Sequence, residues 1–81
     1  SDDKFPLFIA CTQSPVEDIR IVVCEVICCL LNGTKEQVAV FVGQGCVRAL
    51  CSVLNFSHRI AAFVALSGLM KVRHMVCVNS I

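Results

Sequence analysis

Apolar and polar positions along this chain fall into helical runs divided by turn residues. Ser14-Pro15-Val16-Glu17 reads as a capping box. The serine hydroxyl would accept from an early backbone N–H, Glu17 would reach back, and Pro15 would take the first helical position, where no donor is needed. This predicts a helix to about Leu31, stopped by Asn32-Gly33. From Ile21 to Leu31 it is apolar on every side except at Glu25, the pattern of a helix buried all round. Thr34-Lys35-Glu36-Gln37 is a second capping box, opening a short helix to Val42 with Val38, Phe41 and Val42 on one stripe. Gly43-Gln44-Gly45 breaks the chain. Cys46 to Leu54 resumes as a helix, with Val47, Leu50, Cys51 and Leu54 at helical spacing. Asn55-Phe56-Ser57 reads as a turn, and Ser57 as the cap of a last long helix to about Val72. Pro6 to Thr12 is a further short helix near the start. His74 to Ile81 fits either a strand or the opening of another helix.

The order is short, long, short, short, long, and it recurs. A shift of about 43 residues, inside the range of armadillo and HEAT repeats, lays Leu7 on Leu50, Ser14 on Ser57, Ile21 on Val64, Val23 on Leu66, Val26 on Leu69 and Cys29 on Val72. Caps and apolar positions coincide, although identities are few. The expected fold is all-α: a fragment of an armadillo-type right-handed superhelix holding about one and a half to two three-helix repeats. Residues 5–31 would end one repeat, 34–72 would make a full one, and 73–81 would be a tail or the start of the next. The expected core is Ile21 to Leu31 together with Leu50, Leu54, Phe63, Leu66 and Leu69.

Composition sharpens this. Hydrophobic residues make 57% of the 81 and charged residues 16%, against about 45–50% and about 25% in ordinary domains. A disordered segment is excluded. So short a chain buries only about 60% of its extended surface, so apolar surface must stay outside. The expectation is a piece of a solenoid, or a chain that self-associates. No apolar run approaches the about 18 residues of a membrane span, and Ser1-Asp2-Asp3-Lys4 lacks a signal-peptide pattern. Seven cysteines, an odd number, cannot all pair within one chain, which fits a reducing compartment. All six acids lie in residues 1–36, whereas residues 37–81 carry Arg48, Arg59, Lys71 and Arg73 with no acid. The expected reading of that half is a solvated face, with an acidic partner as the alternative. Scattered basic residues without Trp or Tyr do not suit nucleic acid.

The segment Asn32-Gly33-Thr34-Lys35-Glu36-Gln37, followed by Val38 to Gly45 and Cys46-Val47-Arg48-Ala49-Leu50-Cys51-Ser52-Val53-Leu54, resembles an armadillo repeat of the importin alpha family. That family has Gly-Thr-x-Glu-Gln between repeats, then a short helix, a Gly-Cys or Gly-Ala break, and a second helix ending in Leu-Leu. The Gly-Cys-x-x-x-Leu-Cys form is most like its late, C-terminal repeats. Val64-Ala65-Leu66-Ser67-Gly68-Leu69 resembles the third helix of such a repeat. The closer resemblance covers residues 32–54, and a looser one residues 14–72. It implies a nuclear import adaptor of the cytoplasm and nucleus, without enzymatic activity or cofactor. Its partners would be import cargo and importin beta or the export receptor. In the family, tryptophan and asparagine four residues apart line a concave groove and hold basic localisation signals. Cys24 and Cys28 stand at those positions here, and Ser67 and Lys71 in the next unit. Cysteine offers no ring face, and lysine repels a cationic signal. The resemblance therefore implies a late region contacting transport receptors rather than gripping the signal. The competing expectation is an armadillo or HEAT scaffold unrelated to nuclear transport.

Other chemistry has less support in the sequence. Cys24 and Cys28 lie one turn apart, with Cys29, Cys46, Cys51, His58 and His74 elsewhere, but no paired knuckle of zinc ligands appears. Most of these cysteines are expected in the core as small hydrophobes, with a thiol-based regulator as the rival reading. Nothing brings His58 or His74 to a particular thiol as a catalytic pair. Glu17, Asp18 and Glu36 fit first-turn helix positions. Glu25 is expected at the edge of the core rather than as a groove-facing charge.

Overall fold

The structure, a computed structural model, describes residues 4–56 and 59–79. These form five α-helices and one turn of 3-10 helix, with no strand among the described residues. Helix α1 spans Lys4–Ala10 and passes into the 3-10 turn Cys11–Gln13; α2 spans Glu17–Leu30, α3 Lys35–Gly43, α4 Cys46–Phe56 and α5 Arg59–Asn79. The all-α expectation holds. The described part of the ambiguous tail is helical, since α5 continues beyond Val72 to Asn79. The cap expected from Ser57 lies outside the described residues.

The two capping boxes have different fates. At Thr34 the box closes fully: Thr34 Oγ1 accepts from Gln37 N at 3.2 Å, and Gln37 Oε1 accepts from Thr34 N at 3.0 Å. At Ser14 it does not form. Proline pushes the residue before it out of helical geometry, and Ser14 has ψ 140 with Val16 extended after it. The Ser14 hydroxyl accepts instead from Val16 N at 3.1 Å, outside the helix. The N-terminus of α2 is organised by Arg20, whose Nη1 donates to Ser14 O at 2.6 Å while Nη2 lies 3.9 Å from Glu17. Between α3 and α4, Gly45 takes φ +99, a left-handed conformation that glycine adopts without steric cost. The chain bends by 66° there.

The helices form a slab 39 × 31 × 16 Å. Helix axes pack about 8–10 Å apart, so this thickness is two helix layers. Helix α5 packs on both α4 and α2, the 3-10 turn lies against α2 and α4, and α3 touches α4 and α2. Phe5 ties α1 to α3 by stacking on Phe41 at 5.6 Å between ring centroids. Thr12, buried in the 3-10 turn, donates from its hydroxyl to Ile9 O at 2.7 Å.

The core lies between the layers. It is built from Val23, Cys24, Ile27 and Leu31 of α2 and its C-terminal end, Cys46, Leu50 and Val53 of α4, and Ala61, Ala65 and Val72 of α5, with Val38 from α3. Phe41, Val42, Val47 and Leu69 pack at its edge. Several expected core residues are elsewhere: Leu54, Phe63 and Leu66 are exposed, as are Val22 and Val26 of α2. In α4 the buried stripe is Cys46, Ala49, Leu50 and Val53, one position before the expected one, because the small cysteine and alanine let the helix approach its neighbours. Helix α2 is not buried all round. Ile19, Val22 and Val26 face outward, and Glu25 and Cys29 are exposed beside them.

Candidate protein-contact surface

Of the site residues expected from the sequence, Cys24 lies in the core, and Cys28 and Lys71 meet where α2 packs on α5. Helix α5 presents Ala61, Ala65, Gly68 and Val72 on one face, a run of small side chains that admits close neighbours. A Cβ on Gly68 would lie 2.9 Å from Leu50 Cδ1 and 3.1 Å from Cys28 Sγ. Cys28 Sγ donates to Val64 O at 3.3 Å. Lys71 Nζ donates to Cys28 O at 3.1 Å. That carbonyl is among the last four of α2, which have no partner within the helix and lie at the negative end of its dipole. Lys71 is therefore a bridge that fastens α5 to the end of α2.

Cys24 is 0% and Cys28 8% exposed, so neither offers a surface to a ligand. Burial pushes the Cys24 thiol up to about 11, helped by the adjacent Cys28 and opposed by Arg20. Burial also raises Cys28, against the lowering influence of Lys71, and raises Cys46. Ser67 is half-buried and donates to Phe63 O at 3.1 Å along its own helix. Of the four positions, the structure brings Cys28 and Lys71 into direct contact. Cys11, Cys29 and Cys51 are exposed free thiols, so the reading of most cysteines as core holds for Cys24, Cys28 and Cys46 alone among the six whose side chains are described. Among the described residues no three His, Cys, Asp or Glu side chains come together as a metal set. His74 is exposed, and His58 lies outside the described residues.

Helices α2 and α5 run parallel. Glu17 at the start of α2 shares a cleft with Arg59, Ile60 and Phe63 at the start of α5. Leu31 and Asn32, just past the end of α2, share another with Met70, Lys71 and His74. On the far side of α5 from its small-residue face lie Ile60, Phe63, Leu66 and Met70, with Phe63 70% exposed. On the far side of α2 from Cys24 and Cys28 lie Ile19, Val22 and Val26, with Val22 55% exposed. Of these, sequence reasoning assigned Val22, Val26, Phe63 and Leu66 to the core. The signal that separates the faces of α5 is the Ala61-Ala65-Gly68 run, which marks the side that packs.

No single helix among the described residues is long and apolar enough to cross a membrane. Comparison with protein-family models, curated proteins and solved structures returns no match for this chain.

Proposed function

We propose that this chain is a non-enzymatic protein-binding module of an importin-alpha-like transport adaptor, built of armadillo-type repeats. In this reading α1, the 3-10 turn and α2 end one repeat, and α3, α4 and α5 make the next. The reading is supported by the parallel packing of α2 on α5 and by the contact of the 3-10 turn with α4. It is also supported by the resemblance of residues 32–54 to a late repeat of that family. The segment serves as a contact for transport receptors rather than as a grip for a localisation signal.

One observation carries the second half of this reading. At the positions where the family holds a lysine-rich peptide, Cys24 and Cys28 are buried and Lys71 is bound to the Cys28 carbonyl. No indole face or amide is offered, and a fixed ammonium stands there instead. A cationic peptide would meet repulsion without compensating stacking. The basic residues Arg48, Arg59 and Arg73 are exposed and suit an acidic protein surface.

The test is a pair of binding measurements on the 81-residue chain, one with the purified export receptor and one with a labelled lysine-rich localisation peptide. Salt-sensitive binding to the receptor without binding to the peptide is expected. Tight binding of the peptide would contradict the groove argument. Binding of neither would favour an armadillo or HEAT scaffold outside nuclear transport.

A further inference from the structure

Among the described residues, α5 and α2 each carry an uncovered apolar face. One is the Ile60, Phe63, Leu66 and Met70 stripe of α5, spaced three and four residues apart as one helical face requires. The other is Ile19, Val22 and Val26 of α2, continued by exposed Cys29 at the same spacing. Helical spacing sets exposed Arg59 and Arg73 along the α5 stripe, and exposed Asp18 and Glu25 along the α2 stripe. None of these four charges is in an ion pair among the described residues.

From this pairing of shape and charge we infer that the chain self-assembles head to tail, with the α5 outer face of one copy against the α2 outer face of the next. The charges select this arrangement over a symmetric dimer. Two α5 faces together would set arginines against arginines, and two α2 faces would set carboxylates against carboxylates, which is costly at an interface. One face of each kind satisfies both. Because each contact uses one face of each kind, a bound copy presents a fresh α5 face, and the series stays open-ended unless it closes into a ring. A single helix face is smaller than the about 800 Å² per partner of stable complexes, so the assembly is reversible and depends on concentration. This inference is independent of any role in transport.

Sedimentation velocity of the 81-residue chain over a concentration series tests it. The wild-type chain is expected to shift progressively to species larger than a dimer. Phe63→Asp disables only the α5 face and Val22→Asp only the α2 face, so each variant alone is expected to stay monomeric. An equimolar mixture retains one complementary pair of faces and is expected to form a dimer and nothing larger. Both sites are exposed, and circular dichroism checks that the variants fold; Met70→Asp and Ile19→Asp replace any that does not. A wild-type chain that is monomeric throughout overturns the inference. So does a wild-type series that stops at the dimer, or a mixture of the two variants that stays monomeric, which is the behaviour of a symmetric interface.

Discussion

Gly68 is the residue on which the packing of the two layers turns. Its missing side chain lets α5 approach both Leu50 and Cys28, which are buried. Valine there would force three helices apart. We expect Gly68→Val to lower stability by about 2–3 kcal/mol, read from denaturant unfolding. The cysteines make a second residue-scale prediction. A thiol reagent should label Cys11, Cys29 and Cys51 quickly in the folded protein, whereas Cys24, Cys28 and Cys46 should react only on unfolding. The raised Cys24 value also links stability to pH. Folding favours the protonated thiol, so its contribution is complete below pH 9 and lost as pH rises toward about 11. The shift from 9.0 to about 11 corresponds to on the order of 2 kcal/mol. Cys24→Ala should flatten that alkaline decline in a melting series, and an unchanged decline would place its source elsewhere. Sequence reading treated cysteine as a small hydrophobe, correctly for three of the six, but a cysteine fits a helix's buried and open sides equally well.

Helix ends separate what local sequence specifies from what it leaves open. The boxes at Thr34 and Ser14 look alike as strings, yet Pro15 holds Ser14 extended and delays α2 to Glu17. Thr34→Ala should therefore cost about 1 kcal/mol, and Ser14→Ala distinctly less, since Ser14 caps no helical N–H in the structure. Equal losses in the two thermal melts would contradict this. The C-terminus of α2 is finished by Lys71, from 43 residues away in sequence. Nothing local announces such a contact. Lys71→Met, which keeps the aliphatic stem, should lose about 1 kcal/mol. Helix existence and order were legible because caps and glycines punctuate them. The buried faces were less so: with apolar residues on both sides of α2 and α5, periodicity alone does not say which side packs.

At the scale of the whole molecule, the packing leaves apolar faces of α2 and α5 uncovered, which accounts for the hydrophobic excess seen in the composition. Phe63 and Leu66 were expected inside because large apolar residues usually are. They lie outside because the small-residue face of α5 is taken by α2 and α4. The sequence suggested an offset of about 43 residues, and Lys71 meets Cys28 across 43 residues. The account rests on α5 lying along α2 as its neighbour in a stack, with α4 beneath both. The most direct measurement is a nuclear Overhauser spectrum of the labelled chain. Strong cross-peaks from Gly68 Hα to the Leu50 methyls and to Cys28 Hβ are predicted, and intact helices without those cross-peaks would contradict the stacked arrangement.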